Sequence, residues 1–189
     1  MEFEITLTGV RPLLMHSARL SNPLDPMAQA MRKVHSKKQK TDDDYRELAY
    51  REWLGSVYAD ADGPYVPGEN IERMLVDSAK LTRDGQNIKR GVLVQTDYCT
   101  LNYVGPRDVE TLARDENYRL MASVKVGMSR VMRCRPMFRS WQLTASGYLD
   151  ESILSPDDFR AIVERAGRLV GLGDWRPRYG RFDAEVRIS

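Results

Sequence analysis

Residues Gly171-Leu172-Gly173-Asp174-Trp175-Arg176-Pro177-Arg178-Tyr179-Gly180-Arg181-Phe182 join an amphipathic segment to a closing alternating one. Three glycines permit tight or positive-φ backbone in a short span, while Pro177 fixes its own φ and biases Arg176 toward an extended conformation. Arg176, Arg178 and Arg181 set forked donors beside Trp175, Tyr179 and Phe182, a composition suited to a phosphate backbone and to stacked bases. The same residues also read as a connection whose rings fill the core and whose arginines pair with Asp174 or with carbonyls.

The flanks of this stretch are regular. Upstream, Ser155 caps a helix with Pro156 at its first position and Asp158 in its first turn. Phe159, Ile162, Val163, Ala166, Leu169 and Val170 form the face expected to be buried. Downstream, Phe182, Ala184, Val186 and Ile188 alternate as a closing strand. The chain opens in the same way: Phe3, Ile5 and Leu7 alternate with polar neighbours and are expected to point into the core. Leu13 to Met15 continue this sheet past a break at Pro12, and a strand starting at residue 2 leaves no tail.

Between these ends, Tyr65-Val66 is extended, and Pro67-Gly68 leads into a helix with Ile71, Met74, Leu75, Ser78 and Ala79 inward, fading by Asp84-Gly85. Arg90 to Tyr103 is one bent strand or two short ones. Residues 107 to 118 form a polar excursion, short-helical or irregular. Tyr118 to Val126 alternates, Gly127 interrupts, and neither face of Arg130 to Met137 is cleanly apolar, which fits an edge, a projecting hairpin or a ligand-facing strand. A further strand follows from Trp141 to Tyr148.

Two stretches depart from the regular pattern. From His16 to Lys40 the periodicity dissolves into a long loop with prolines 23 and 26, a possible short helix over Met27 to Val34, and a basic run from Arg32 to Lys40. That run either grips phosphates or is a solvated surface. Thr41 then caps a helix whose first turn holds Asp42, Asp43 and Asp44, with Tyr45, Leu48, Ala49 and Trp53 on one apolar face. Capping, not metal binding, accounts for the three aspartates.

The order of strand, helices, strands, helix, strand specifies an α+β fold: a ferredoxin-like or modified RNA-recognition-motif core, its antiparallel sheet carrying helices on one face and loop or hairpin insertions. A single domain over 1–189 is expected, with a basic insertion at about 17–40 and a basic strand or hairpin region at about 119–149. The free sheet face is a candidate platform for a single nucleic-acid strand.

With 189 residues, 42% hydrophobic and 30% charged, the chain has a globular composition. Its formal charge of +2 implies no polyanion by itself. The distribution does more: Arg119, Lys125, Arg130, Arg133, Arg135 and Arg139 lie in a stretch to Leu149 without Asp or Glu. Cys99 and Cys134 read as ordinary thiols of a reducing compartment, although a disulfide is not excluded by count. Neither a signal peptide nor an 18-residue apolar run is present, so a soluble, cytoplasmic protein without membrane contact is expected.

Catalytic chemistry finds little purchase. His16 and His35 are the only histidines, and no zinc spacing, Walker motif, dinucleotide fingerprint or nucleophile elbow occurs. No catalytic residue, metal or cofactor is expected. Arg130, Arg133, Arg135, Arg176, Arg178 and Arg181 are the candidate phosphate contacts, with Lys125 and Arg139 on the same stripe as the first three. Trp175 and Tyr179 are candidates for stacking or loop ordering, and Lys37 and Lys38 for peripheral grips.

Three landmarks resemble the repeat-associated mysterious proteins of CRISPR effector complexes, above all their Cas7-type backbone subunits. These are Gly9-Val10-Arg11-Pro12-Leu13-Leu14-Met15-His16 after the opening strand, Tyr65-Val66-Pro67-Gly68-Glu69-Asn70-Ile71 at a helix start, and Gly171 to Phe182 before the last strand. The closing pattern is also similar to that of small phage and prophage proteins. The resemblance implies a modified RNA-recognition-motif core with an insertion and a projecting hairpin, stacked head to tail along a guide RNA in antiviral defence. It gives Gly171, Gly173 and Gly180 the shaping of a glycine-rich loop, and makes Asp25 the one loose match to the aspartate of RNA-cleaving members. The reading that follows is non-catalytic binding of single-stranded RNA or DNA, RNA favoured, by a subunit of a homo-oligomer or ribonucleoprotein. A phage or assembly structural subunit without nucleic acid is the alternative, and a metal-dependent RNase the third.

Overall fold

Strict alternation at the two chain ends builds the main sheet. The computed structural model describes residues Met1–Ser189. Its elements run β1 (Glu2–Gly9), β2 (Leu13–Leu14), α1 (Pro26–His35), α2 (Asp42–Ser56), β3 (Ala59–Asp60), β4 (Gly63–Pro67), α3 (Gly68–Lys80) and α4 (Gly85–Gly91). They continue with β5 (Val92–Val94), β6 (Tyr98–Thr100), α5 (Val109–Arg114), β7 (Arg119–Val126), β8 (Ser129–Phe138), β9 (Gln142–Leu149), α6 (Pro156–Arg165) and β10 (Phe182–Ile188). Where the sequence suggests one domain over 1–189, the chain divides by its contacts into two compact units.

The first unit comprises Met1–Leu14, Pro64–Val104 and Arg139–Ser189. Its four-stranded antiparallel sheet has the order β10-β1-β9-β5. With α3 and α6 the succession is β1-α3-β5-β9-α6-β10, the β-α-β-β-α-β pattern of the ferredoxin-like α+β fold. The register sets Phe3 opposite Ile188 on one side and Gly147 on the other. Phe3, Ile5, Leu7, Leu143 and Ala145 thus share the inner face, where they are buried. Phe3 and Phe159 pack with ring centroids 4.8 Å apart, and the buried Ser78 hydroxyl on α3 donates to the Ile162 carbonyl on α6 at 2.7 Å. The region from Arg90 to Tyr103 resolves into two short strands, β5 and β6, the second paired with β4.

Two details differ from expectation. A seven-residue helix, α4, starts at the Asp84-Gly85 pair where the preceding helix is expected to fade; apart from its glycines only Ile88 is buried, so no apolar periodicity announces it. After α6 the chain widens into a π turn over Ala166–Val170, closed by the Gly171 amide on the Ala166 carbonyl at 2.8 Å. The extra residue per turn rotates Leu169 off the inner face, leaving it 56% exposed.

The second unit, Met15–Gly63 and Gly105–Phe138, consists of the two insertions into that core. Trp53 on α2 is fully buried and donates through Nε1 to the Tyr118 carbonyl at 2.8 Å, tying one insertion to the other. The basic region expected at about 119–149 is split: β7 and β8 form an antiparallel hairpin here, whereas β9 belongs to the sheet of the first unit. The expected loop at 17–40 contains the ten-residue α1. Thr41 caps α2 in a full capping box, its hydroxyl accepting from the Asp44 amide while the Asp44 carboxylate accepts from the Thr41 amide. Among the described residues no helix is long and apolar enough to cross a membrane.

Asp44 gives this cap a pH dependence. Hydrogen bonds from Lys37 and from the Thr41 amide hold its carboxyl below the ordinary value of 3.8. A group depressed in the folded state contributes fully above its unfolded pKa and loses that contribution as pH falls through the lower native value. Urea unfolding titrated downward from neutral pH should show stability declining below about pH 4, with a shallower decline in Asp44→Asn.

Candidate nucleic-acid interface

The glycine-rich stretch of the first unit is a loop laced to the end of β1. The Gly180 amide donates to the Pro12 carbonyl and the Asp174 amide to the Leu14 carbonyl, each at 2.8 Å, and the Leu172 amide donates to the Gly180 carbonyl at 2.9 Å. Gly180 has φ +70°, and a Cβ there would collide with the Leu172 backbone, so both conformation and space require glycine. Gly171 and Gly173 also have positive φ, and so does Trp175 at +53°, which the sequence did not announce.

This lacing brings together a cationic pocket. Arg11, Pro12, Pro177, Arg178, Tyr179 and Arg181 line an open depression of about 480 Å³. Arg11, Arg178 and Arg181 are exposed and Tyr179 is half-buried. Arg181 is steadied by its Nε, which donates to the Pro177 carbonyl at 2.8 Å, and the Arg178 guanidinium lies 6.0 Å from the Tyr179 ring centroid. Among the described lining residues there is no carboxylate. Trp175 and Tyr179 face each other at 6.2 Å between ring centroids, tilted by 38°, which orders the loop.

Arg11 is absent from the sequence-level candidates. The strand register reveals it: Gly9 is opposite Phe182, so the residues after β1 necessarily run beside those before β10. Arg176, by contrast, turns to α3 and pairs with Asp77 at 3.3 Å, and it belongs to loop anchoring more than to the pocket. Arg139, just before β9, is exposed.

The remaining candidates belong to the second unit. Lys125 and Arg130 are exposed and directly opposite one another across the hairpin. Lys37 is committed to Asp44, and Lys38 is exposed on the segment between α1 and α2. Arg135 requires correction as a phosphate contact. It is buried, and its Nη1 donates to Glu52 Oε1 at 2.8 Å while the Cys134 amide donates to Glu52 Oε2 at 2.8 Å. Burying a carboxylate on α2 demanded a buried cation on β8. Arg133, half-buried, has Nη1 3.6 Å from the same carboxylate.

Two other expectations change. The open face of the sheet carries Glu2, Glu4, Asp183 and Glu185 against Arg187 alone, with Tyr148 the one ring among its described residues. An acidic face repels a phosphate backbone, which is the opposite of the charge a phosphate-binding platform calls for. Asp25, the loose match to a cleavage aspartate, caps α1: its Oδ1 accepts from the Met27 amide and its Oδ2 from Arg19 Nε. Burial opposes ionisation of Asp25, but the Arg19 hydrogen bond and the Met27 and Ala28 amides outweigh it and depress the pKa. Cys99 and Cys134 are free, buried thiols, pushed by burial to about 12 and about 11, with the Glu52 carboxylate adding to the rise at Cys134. Among the described residues no three His, Cys, Asp or Glu side chains group as a metal site would require.

No protein-family model matches the sequence, and no curated protein matches it.

Removing Glu52 strands a buried guanidinium and an amide together. Glu52→Ala is expected to lower stability by about 3–5 kcal/mol, the range for breaking a buried ion pair. Chemical denaturation checks this; a loss under about 1 kcal/mol would place Arg135 in solvent instead.

Proposed function

We propose that this chain binds single-stranded nucleic acid without cleaving it, gripping the phosphate backbone at Arg11, Arg178 and Arg181 beside Tyr179. The observation that carries the reading is the arginine-lined pocket at the glycine-rich loop, where three guanidinium groups and a ring converge with no lining carboxylate. Such a set offers forked donors to phosphate oxygens and one surface for a base. RNA is the favoured ligand, and self-association along the strand, as in the backbone subunits that the sequence resembles, belongs to the same proposal.

Fluorescence anisotropy with labelled oligouridine and oligothymidine tests it. Three neutralised phosphates on a single strand give a salt slope of about −2, or roughly a 20-fold loss of affinity between about 50 and 200 mM salt. Arg178→Ala with Arg181→Ala should weaken binding and reduce that slope to about −0.7. Affinity indifferent both to salt and to this double substitution would exclude the pocket.

A further inference from the structure

Within the second unit, α1, α2 and the β7–β8 hairpin enclose an open groove of about 530 Å³ that the nucleic-acid reading leaves unused. Its wall is apolar: Met31, Leu48 and Val131 lie deeper, while Tyr45, Met121 and Met132 remain 60%, 44% and 58% exposed. The sequence places Tyr45, Leu48, Ala49 and Trp53 on one apolar face, yet α2 buries only its last third completely, from Glu52 to Ser56, apart from Asp44. The apolar stripe of α2 is thus held open beside exposed methionines of the hairpin.

The charge around it is mainly positive. Lys40, Arg130 and Arg133 line the groove together with His35. Glu52, the single carboxylate among the described lining residues, is engaged by Arg135 and the Cys134 amide and lies 3.6 Å from Arg133 Nη1, so Lys40 and Arg130 are the cations the rim presents to a partner. Lys40 spans the end of α1, its Nζ donating to the carbonyls of His35 and Lys37 at 3.0 and 3.1 Å, so its charge is fixed in place. An occupant must therefore offer apolar side chains to the wall and negative charge to the rim. Three methionines, flexible and polarisable, accommodate aliphatic side chains of varied shape, whereas a strand of bases needs successive rings and finds only Tyr45.

We propose that this groove docks an acidic amphipathic segment of a partner protein, its apolar side chains on Met121, Met132 and Tyr45 and its carboxylates on Lys40 and Arg130. The site is separate from the arginine pocket, so nucleic acid and protein partner engage different units of the chain.

Selection of a displayed random peptide library, roughly 16 residues long or about 24 Å as helix, against the full chain tests this. The Met132→Glu, Arg130→Glu double variant serves as counter-target; both positions are exposed, and circular dichroism checks that it folds. Expected winners carry apolar residues at i, i+3 or i+4 and i+7 flanked by Asp or Glu. A labelled copy of the most enriched peptide should bind at least about tenfold more weakly to each single variant, and equally well to the Arg178→Ala, Arg181→Ala chain. That last comparison separates this proposal from the nucleic-acid reading. Winners without carboxylates, affinity unchanged in both groove variants, or no enrichment over the counter-target would overturn it. Displacement of the peptide by oligouridine would instead assign the groove to nucleic acid.

Discussion

The structure depends on β1 being hydrogen-bonded on both sides, to β9 and to β10. A strand near the start of the chain that pairs with the last strand closes the core over nearly the whole sequence. It forces the intervening segments either into the helical layer or out of the core. Phe3, Ile5 and Leu7 pin the register because a slip by one residue would exchange them with Glu4 and Thr6. The same register fixes chemistry. With Gly9 opposite Phe182, the Arg11-Pro12 segment has to run beside Tyr179 to Arg181, and the glycines let the two backbones come close enough to bond.

Charge is then partitioned by element. The outer sheet face is acidic, the glycine-rich loop is basic, and the second unit has exposed cations on its hairpin. The formal charge of +2 conceals all three. This partition moves the candidate nucleic-acid contact off the sheet face, where an RNA-recognition-motif core would invite it, and onto the loop. It also distinguishes arginines that anchor from arginines that present. Arg135 and Arg176 satisfy carboxylates of their own unit, Glu52 and Asp77, while Arg11, Arg178 and Arg181 face solvent around a pocket without one.

What could be read from the sequence follows the range of the interactions involved. Alternation in β1 and β9, the stripe of α3 and the Ser155-Pro156 start of α6 are local, and each stands where its pattern puts it. Asp25-Pro26 carries the same cap-and-proline signature as Ser155-Pro156, and the short helix the sequence offers over Met27 to Val34 is α1, although the loss of apolar periodicity around it reads as a loop. The partners of buried charges are not local. Arg135 is 83 residues from Glu52, and nothing in either neighbourhood points to the other. Arg11 is concealed in the same way, because only the pairing of the first and last strands sets it beside the loop. The open apolar stripe on α2 misleads for another reason: periodicity records which residues share a face, not whether anything covers it.

On the proposed reading the laced loop, and not the sheet, meets the nucleic-acid strand. Photo-crosslinking with 4-thiouridine oligonucleotides, followed by peptide mass spectrometry, addresses it most directly. Adducts are expected at Tyr179 and its neighbours between Arg176 and Arg181, together with the Arg11 segment. Adducts concentrated at Tyr148 and Leu93 on the acidic sheet face would contradict it.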